Sequence, residues 1–274
     1  MKKGILTLLT FALLFTMSLW AQSNNTRNNN TGSGNDKVNN TTPPADQAPV
    51  AVPNTKTGKA PADTEEGKAL KRLDDSAADL NRTVGAPDSG IPQTILAKAK
   101  CVAIVPTLIK GGFIFGAEHG RGVATCRLPN NHWSAPAFFT MTGGSWGAQI
   151  GGESVDLIML FMTDEGANKL MQANWKVGGD VGIAAGPYGR QATANTDWKF
   201  NTGILTYSRA KGVFAGATLN GTNVHVDEKA MSAIYGRKNP TFESVLRGQV
   251  PVPRGADRFI ASIRQDFHEA AASK

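Results

Sequence analysis

Few residue types in this chain invite chemistry, and their spacing decides how far each can go. The two cysteines, Cys101 and Cys126, stand in short apolar, β-like segments, Cys101–Pro106 and Gly122–Arg127. In an exported chain such a pair is expected to close a structural disulfide; two buried thiols acting as small hydrophobes are the alternative. The run Gly143-Gly144-Ser145-Trp146-Gly147 matches G-x-S-x-G. A nucleophile elbow needs a helix directly after the serine, and Ala148-Gln149-Ile150-Gly151-Gly152 is poor helix material. His119, His132, His225 and His268 do not assemble into a triad by spacing. Gly116–Gly122 and Gly178–Gly182 lack both the dinucleotide spacing and a Walker lysine, so they read as tight turns and close strand contacts. Glu118-His119 has no H-x-x-x-H partner. No metal, no cofactor and no enzyme activity are expected.

Charge is more informative. The chain has 274 residues and a net charge of +7, which is too weak a bias for a histone-like nucleic-acid binder. The stretch from Lys98 to Arg127 carries Lys98, Lys100, Lys110, Arg121 and Arg127 against Glu118 alone. A second basic stretch, Arg237 to Arg264, carries Arg237, Lys238, Arg247, Arg254, Arg258 and Arg264 against Glu243 and Asp257. Both are expected to meet anionic surfaces.

The elements that must position these residues follow from periodicity. Leu70, Leu73, Ala77 and Leu80 recur at helical steps, so a helix is expected over Thr64–Arg82, ended by Gly85 and Pro87. Its outer face mixes Lys68, Lys71 and Arg72 with Asp74, Asp75 and Asp79. A short helix is expected at Pro92–Lys100. From Cys101 onward come short Gly-punctuated segments: CVAIVP, GGFIFGAEHG, GVATCRL, APAFFTM, SWGAQIGG, SVDLIMLFM, VGIAAGP, QATANTDWKF, ILTYSRA, VFAGATL and TNVHV. Helices are expected at Thr163–Ala173 and Asp227–Tyr235, with a final amphipathic helix around Phe259, Ile263 and Phe267. Strands that follow one another without alternating helices imply an α+β fold, an antiparallel β-rich barrel or sandwich with flanking helices. The thirty glycines exceed the usual share of roughly 7%, and most lie in this strand-rich stretch.

Residues 1–21 read as a bacterial-type export signal: Lys2 and Lys3, an apolar run from Ile5 to Trp20, and Ala21 before the cut. Residues 22–60 are rich in Asn, Thr and Pro and read as a disordered tether. The folded domain is expected over 61–239, with a C-terminal helical extension over 240–274. The expected location is the periplasm or the extracellular space, peripheral to a membrane.

The ordered blocks AKCVAIVPTLIKGGFIFGAEHGRGVATCR, HWSAPAFF, GGSWGAQIGGE, GPYGR, YSRAKGVFAGATLNG and AIYG together resemble the SYLF domain, also called the yeast SH3-associated actin-binding domain. The resemblance runs from about Ile91 to Gly236. It implies a non-catalytic module that binds phospholipid or phosphoinositide head groups, helped in eukaryotic members by a basic amphipathic helix before the domain; some members bind actin. Carried onto this chain, Lys98, Lys100, Lys110, Arg121 and Arg127 would meet head groups. Leu70, Leu73 and Leu80, with Lys68, Lys71 and Arg72, would form the membrane helix. The expected partners are anionic phospholipids or a membrane surface, or alternatively another envelope protein that the chain scaffolds. Nucleic acid is not expected, and neither is actin for an exported chain.

Overall fold

A computed structural model describes residues 61–272, except 87–89, 113–114, 147–150, 173, 179–180, 190–201, 211–212, 216–218, 220 and 237–239. The expected signal, the tether, the QATANTDWKF segment, Arg237 and Lys238 lie outside the described residues.

Helix α1 spans Glu65–Val84. It starts where Thr64 accepts a hydrogen bond from the Gly67 N–H at 3.0 Å, with Glu65 and Glu66 against the positive end of the helix dipole. Ala69, Leu73, Ala77 and Leu80 are buried at three- and four-residue steps. Helix α2 is Gln93–Lys98.

One long hairpin makes the centre of the sheet. Strand β1 (Cys101–Gly112) pairs with β2 (Phe115–Cys126), and β3 (Ala137–Trp146) and β4 (Gly151–Phe161) flank them on either side. Helix α3 (Asp164–Met171) follows, capped by Thr163. Strands β5 (Asn174–Lys176), β6 (Ile183–Ala185), β7 (Ile204–Ala210), β8 (Val213–Ala215) and β9 (Asn223–Val226) complete the sheet. Helices α4 (Glu228–Tyr235), α5 (Phe242–Leu246) and α6 (Asp257–Ala272) end the chain. The nine strands form one curled sheet, a half-barrel, in the order β5-β9-β3-β2-β1-β4-β7-β6, with β8 on β7. All pairings are antiparallel except β6 with β7. This is the α+β, β-rich architecture expected from the sequence, in its barrel-like form.

Two strand boundaries differ from expectation. GGFIFGAEHG is not one strand: Gly112 pairs with Gly116, so the chain reverses inside it. SWGAQIGG likewise spans the end of β3 and the start of β4. Apolar residues on both sides of each break hid it.

Pro106 shapes the long hairpin. It has no N–H to give to a ladder, and the register of β1 shifts between Ile104 and Leu108 against β2 and between Val105 and Leu108 against β4. Beyond this bulge Leu108 points in and Ile109 out. Gly122 lets the sheet close near it: a Cβ there would lie 2.3 Å from the Phe139 ring.

Helices α1, α2 and α6 pack together, and α1 also meets α4, β1 and β2. Phe242, Val245, Leu246, Phe259, Ile263 and Phe267, from the segment read as an extension, belong to the same core as β1–β4. Phe267 meets Trp133 edge-on at 4.8 Å. No helix among the described residues is long and apolar enough to cross a membrane.

Candidate functional site

The cysteines face each other across β1 and β2 and form a disulfide, with both side chains buried. The bond closes the open end of the long hairpin. Each cysteine has a cation beside it in sequence, Lys100 before Cys101 and Arg127 after Cys126. The backbone holds that pair in register: the Lys100 N–H donates to the Phe161 carbonyl at 2.8 Å, and the Arg127 N–H donates to the Lys100 carbonyl at 2.7 Å. Lys100 Nζ reaches Asp164 at 2.6 Å. The Arg127 guanidinium lies 5.0 Å over the Trp133 ring and donates to Asn131 Oδ1 at 3.2 Å. Burial pushes its pKa down, and its Nη2 is buried without a hydrogen-bond partner. Lys98 ends α2 at this same end of β1 and is exposed.

Lys110 and Arg121 are elsewhere. Ten residues of strand separate Lys100 from Lys110, which is about 30 Å at the usual rise per residue. The five cations expected to meet head groups therefore do not form one patch; Lys98, Lys100 and Arg127 lie at the disulfide end of the hairpin, Arg121 near its middle and Lys110 toward its tip. Lys110 is also turned partly inward, with Nζ 3.9 Å from the buried Glu118 carboxylate across the strand pair. Thr222 donates a short hydrogen bond to the same carboxylate.

Arg121 joins residues of α1. Lys68, Lys71, Arg72, Ile109, His119 and Arg121 line a shallow groove of about 310 Å³. Ile109 is 55% exposed at its edge. Lys68 pairs with Glu65 at 2.9 Å and Lys71 with Asp75 at 2.6 Å. The Lys68 hydrogen bond, with the Arg121 charge nearby, holds the Glu65 carboxyl below its usual range. Exposed pairs of this kind are weak, so an arriving anion can replace the acidic partner. Sequence reasoning missed Ile109 because Pro106 interrupts the alternation that would have assigned its face.

Three residues of the expected membrane helix are placed against that role. Leu73 and Leu80 are in the core, and Leu70 packs against Gly255. Arg72 is corrected from a surface cation to a buried one. It pairs with the buried Asp227 at 3.0 Å, and its guanidinium lies 5.5 Å over the Phe138 ring. Asp227 also caps α4, accepting from the Ala230 N–H at 3.2 Å. Burial pushes the Arg72 pKa down, and Asp227 opposes that shift. The pair fastens α1, and with it Lys68 and Lys71, to the sheet and to α4. Arg121 Nε lies 3.9 Å from the same carboxylate.

Ser145 is the pairing partner of Gly116 within β3, and strand β4 follows it. The next described element after Ser145 is thus a strand, where a nucleophile elbow calls for a helix. Among the described residues no three His, Cys, Asp or Glu side chains cluster as a metal site requires.

A half-barrel backed by helices, with one disulfide-closed hairpin at its centre, defines an α+β domain. The family model described as Ysc84, Las17-binding protein actin regulator, matches residues 142–266. Protein YSC84 of Saccharomyces cerevisiae is 34% identical over 197 residues, which is 71% of this chain and 41% of the yeast protein. LAS seventeen-binding protein 3 of the same yeast is 33% identical over 197 residues, 71% of this chain and 42% of that protein. The human SH3 domain-containing YSC84-like protein 1 is 31% identical over 195 residues, 71% of this chain and 56% of the human protein. This chain belongs to the Ysc84/SYLF domain family. It spans roughly half or less of the length of these relatives. The expectation that actin is not a partner is corrected by these matches, because the family description and the relatives' names are those of actin-regulating and Las17-binding proteins.

Proposed function

We propose that this chain is a non-catalytic module of the cell envelope, exported by residues 1–21, that binds anionic phospholipid head groups at a membrane surface. The observation that carries this reading is the groove where Lys68 and Lys71 of α1 meet Arg121 of β2 around the exposed Ile109. Cations on exchangeable exposed pairs attract lipid phosphates, and an apolar side chain beside them adds contact with the acyl boundary. Arg72 serves this surface from inside, by fixing α1. Flotation of the purified chain with phosphatidylglycerol vesicles and with phosphatidylcholine vesicles tests the proposal. Binding to the anionic vesicles that falls with added salt is expected. Failure to float with either lipid removes the proposal.

A second reading has the chain engage a protein partner, as an envelope scaffold or through actin-type recognition. The family description, Las17-binding protein actin regulator, and the relative named LAS seventeen-binding protein 3 favour a protein partner. Co-sedimentation with actin filaments, in the absence of lipid, separates it from the first.

A further inference from the structure

The other end of the hairpin holds a separate concavity. A depression of about 620 Å³ is lined by Lys100, Arg127 and Arg247 against one acid, Asp164, with Leu128 and Met171 among its apolar walls. A volume of this size accommodates a small organic ligand. We infer that this depression binds a small amphiphilic anion, a phosphate monoester or carboxylate carrying a short apolar chain.

The charges carry the inference. Lys100 faces Asp164 and Arg247 faces Glu243 at 2.7 Å, both acids being exposed. Arg127 is different. It is half-buried, stacked on Trp133, and has no carboxylate in ion-pair contact among the described residues. One guanidinium nitrogen is buried without an acceptor. Its Nε donates to the Ala99 carbonyl at 3.4 Å and its Nη1 to Asn131 Oδ1 at 3.2 Å, both neutral acceptors, so the guanidinium lacks the counter-ion that a phosphate or carboxylate supplies. The disulfide makes the site rigid. Lys100 and Arg127 are the direct neighbours of Cys101 and Cys126, so the crosslink fixes the spacing of the two cations before any ligand arrives. The apolar walls select against a bare inorganic anion. This site is distinct from the α1 groove, which is shallower and lies toward the other end of β1.

Isothermal titration calorimetry of the full chain with octyl phosphate, octanoate and inorganic phosphate tests the assignment. One octyl phosphate or octanoate per chain is expected, bound at least about tenfold more tightly than inorganic phosphate because of the buried chain. Arg127→Met, which removes the charge, and Met171→Trp, which fills the depression, should each weaken binding about tenfold or more. Arg247→Glu, at an exposed position, replaces Arg127→Met if circular dichroism finds that variant unfolded. The inference is overturned if neither amphiphile binds at millimolar concentration. It is equally overturned if affinity is unchanged in folded Met171→Trp and Arg247→Glu. A Lys71→Glu/Arg121→Glu variant should lose vesicle binding and keep octyl phosphate; loss of both would refute two separate sites. In that variant, displacement of octyl phosphate by phosphatidic acid vesicles would assign the phosphate to a lipid head group, and persistence would assign it to a soluble anion.

Discussion

Replacing Arg72 with methionine should destabilise the domain far more than the loss of one surface charge. The Arg72 and Asp227 side chains are 7% and 6% exposed, and their charged atoms are 3.0 Å apart. Methionine keeps most of the aliphatic packing under α1, so the main effect is electrostatic: Asp227 is left buried without its partner. Stranding a buried charge costs about 3–5 kcal/mol. Arg121 lies 3.9 Å from the same carboxylate and offsets a little, which places Arg72→Met near the lower end, about 3 kcal/mol. Arg72→Met/Asp227→Asn removes the stranded charge, and asparagine still caps α4. The double variant should recover to within about 1–2 kcal/mol of the parent, since burying neither charge also avoids desolvation. Urea denaturation at pH 7, followed by circular dichroism, reads all three proteins. The reasoning fails if Arg72→Met loses less than about 1 kcal/mol, or if the double variant is no more stable than the single one.

Other consequences follow from the same packing. Replacing Cys101 and Cys126 by alanine opens a loop with a sequence separation of 25, which by chain entropy should lower stability in urea by about 3.5 kcal/mol; a loss below about 1 kcal/mol would contradict a structural crosslink. Gly122→Ala drives a methyl group into the Phe139 ring and should cost about 1–3 kcal/mol in the same assay, whereas a neutral result would show that the ring moves freely. Burial raises the Tyr207 pKa, and its hydroxyl is buried without a partner. The unfolded chain therefore ionises this tyrosine first, so stability is intact below about pH 10 and falls as pH rises beyond it. Tyr207→Phe should flatten that alkaline loss with no cost at neutral pH, and a destabilised variant at pH 7 would reveal a partner for the hydroxyl.

The helices were legible because their signals are local. Leu73, Ala77 and Leu80 share one stripe of α1, and Thr64, Thr163 and Asp227 stand at the caps where small polar residues belong. The strand class was legible from the Gly-punctuated apolar runs, but the hairpin reversal at Gly112–Gly116 and the break between β3 and β4 were not, since apolar residues continue on both sides. The site was half legible. Composition named the cations, yet only register could divide Lys100 and Arg127 from Lys110 and Arg121. Arg72 was misassigned because its counter-ion, Asp227, lies 155 positions away, and no local pattern announces a pairing at that distance. Lys110 was similarly claimed from within by Glu118.

The central claim is that lipid binding resides in the α1–β2 groove. Measuring vesicle affinity of Lys68→Gln/Lys71→Gln/Arg121→Gln against Lys98→Gln/Lys100→Gln on phosphatidylglycerol membranes tests it most directly. Each cation near an anionic surface contributes about 1 kcal/mol, so the groove variant should bind roughly 100-fold more weakly while the other stays within a few-fold of the parent. Equal losses in the two variants, or an unchanged groove variant, would contradict the account.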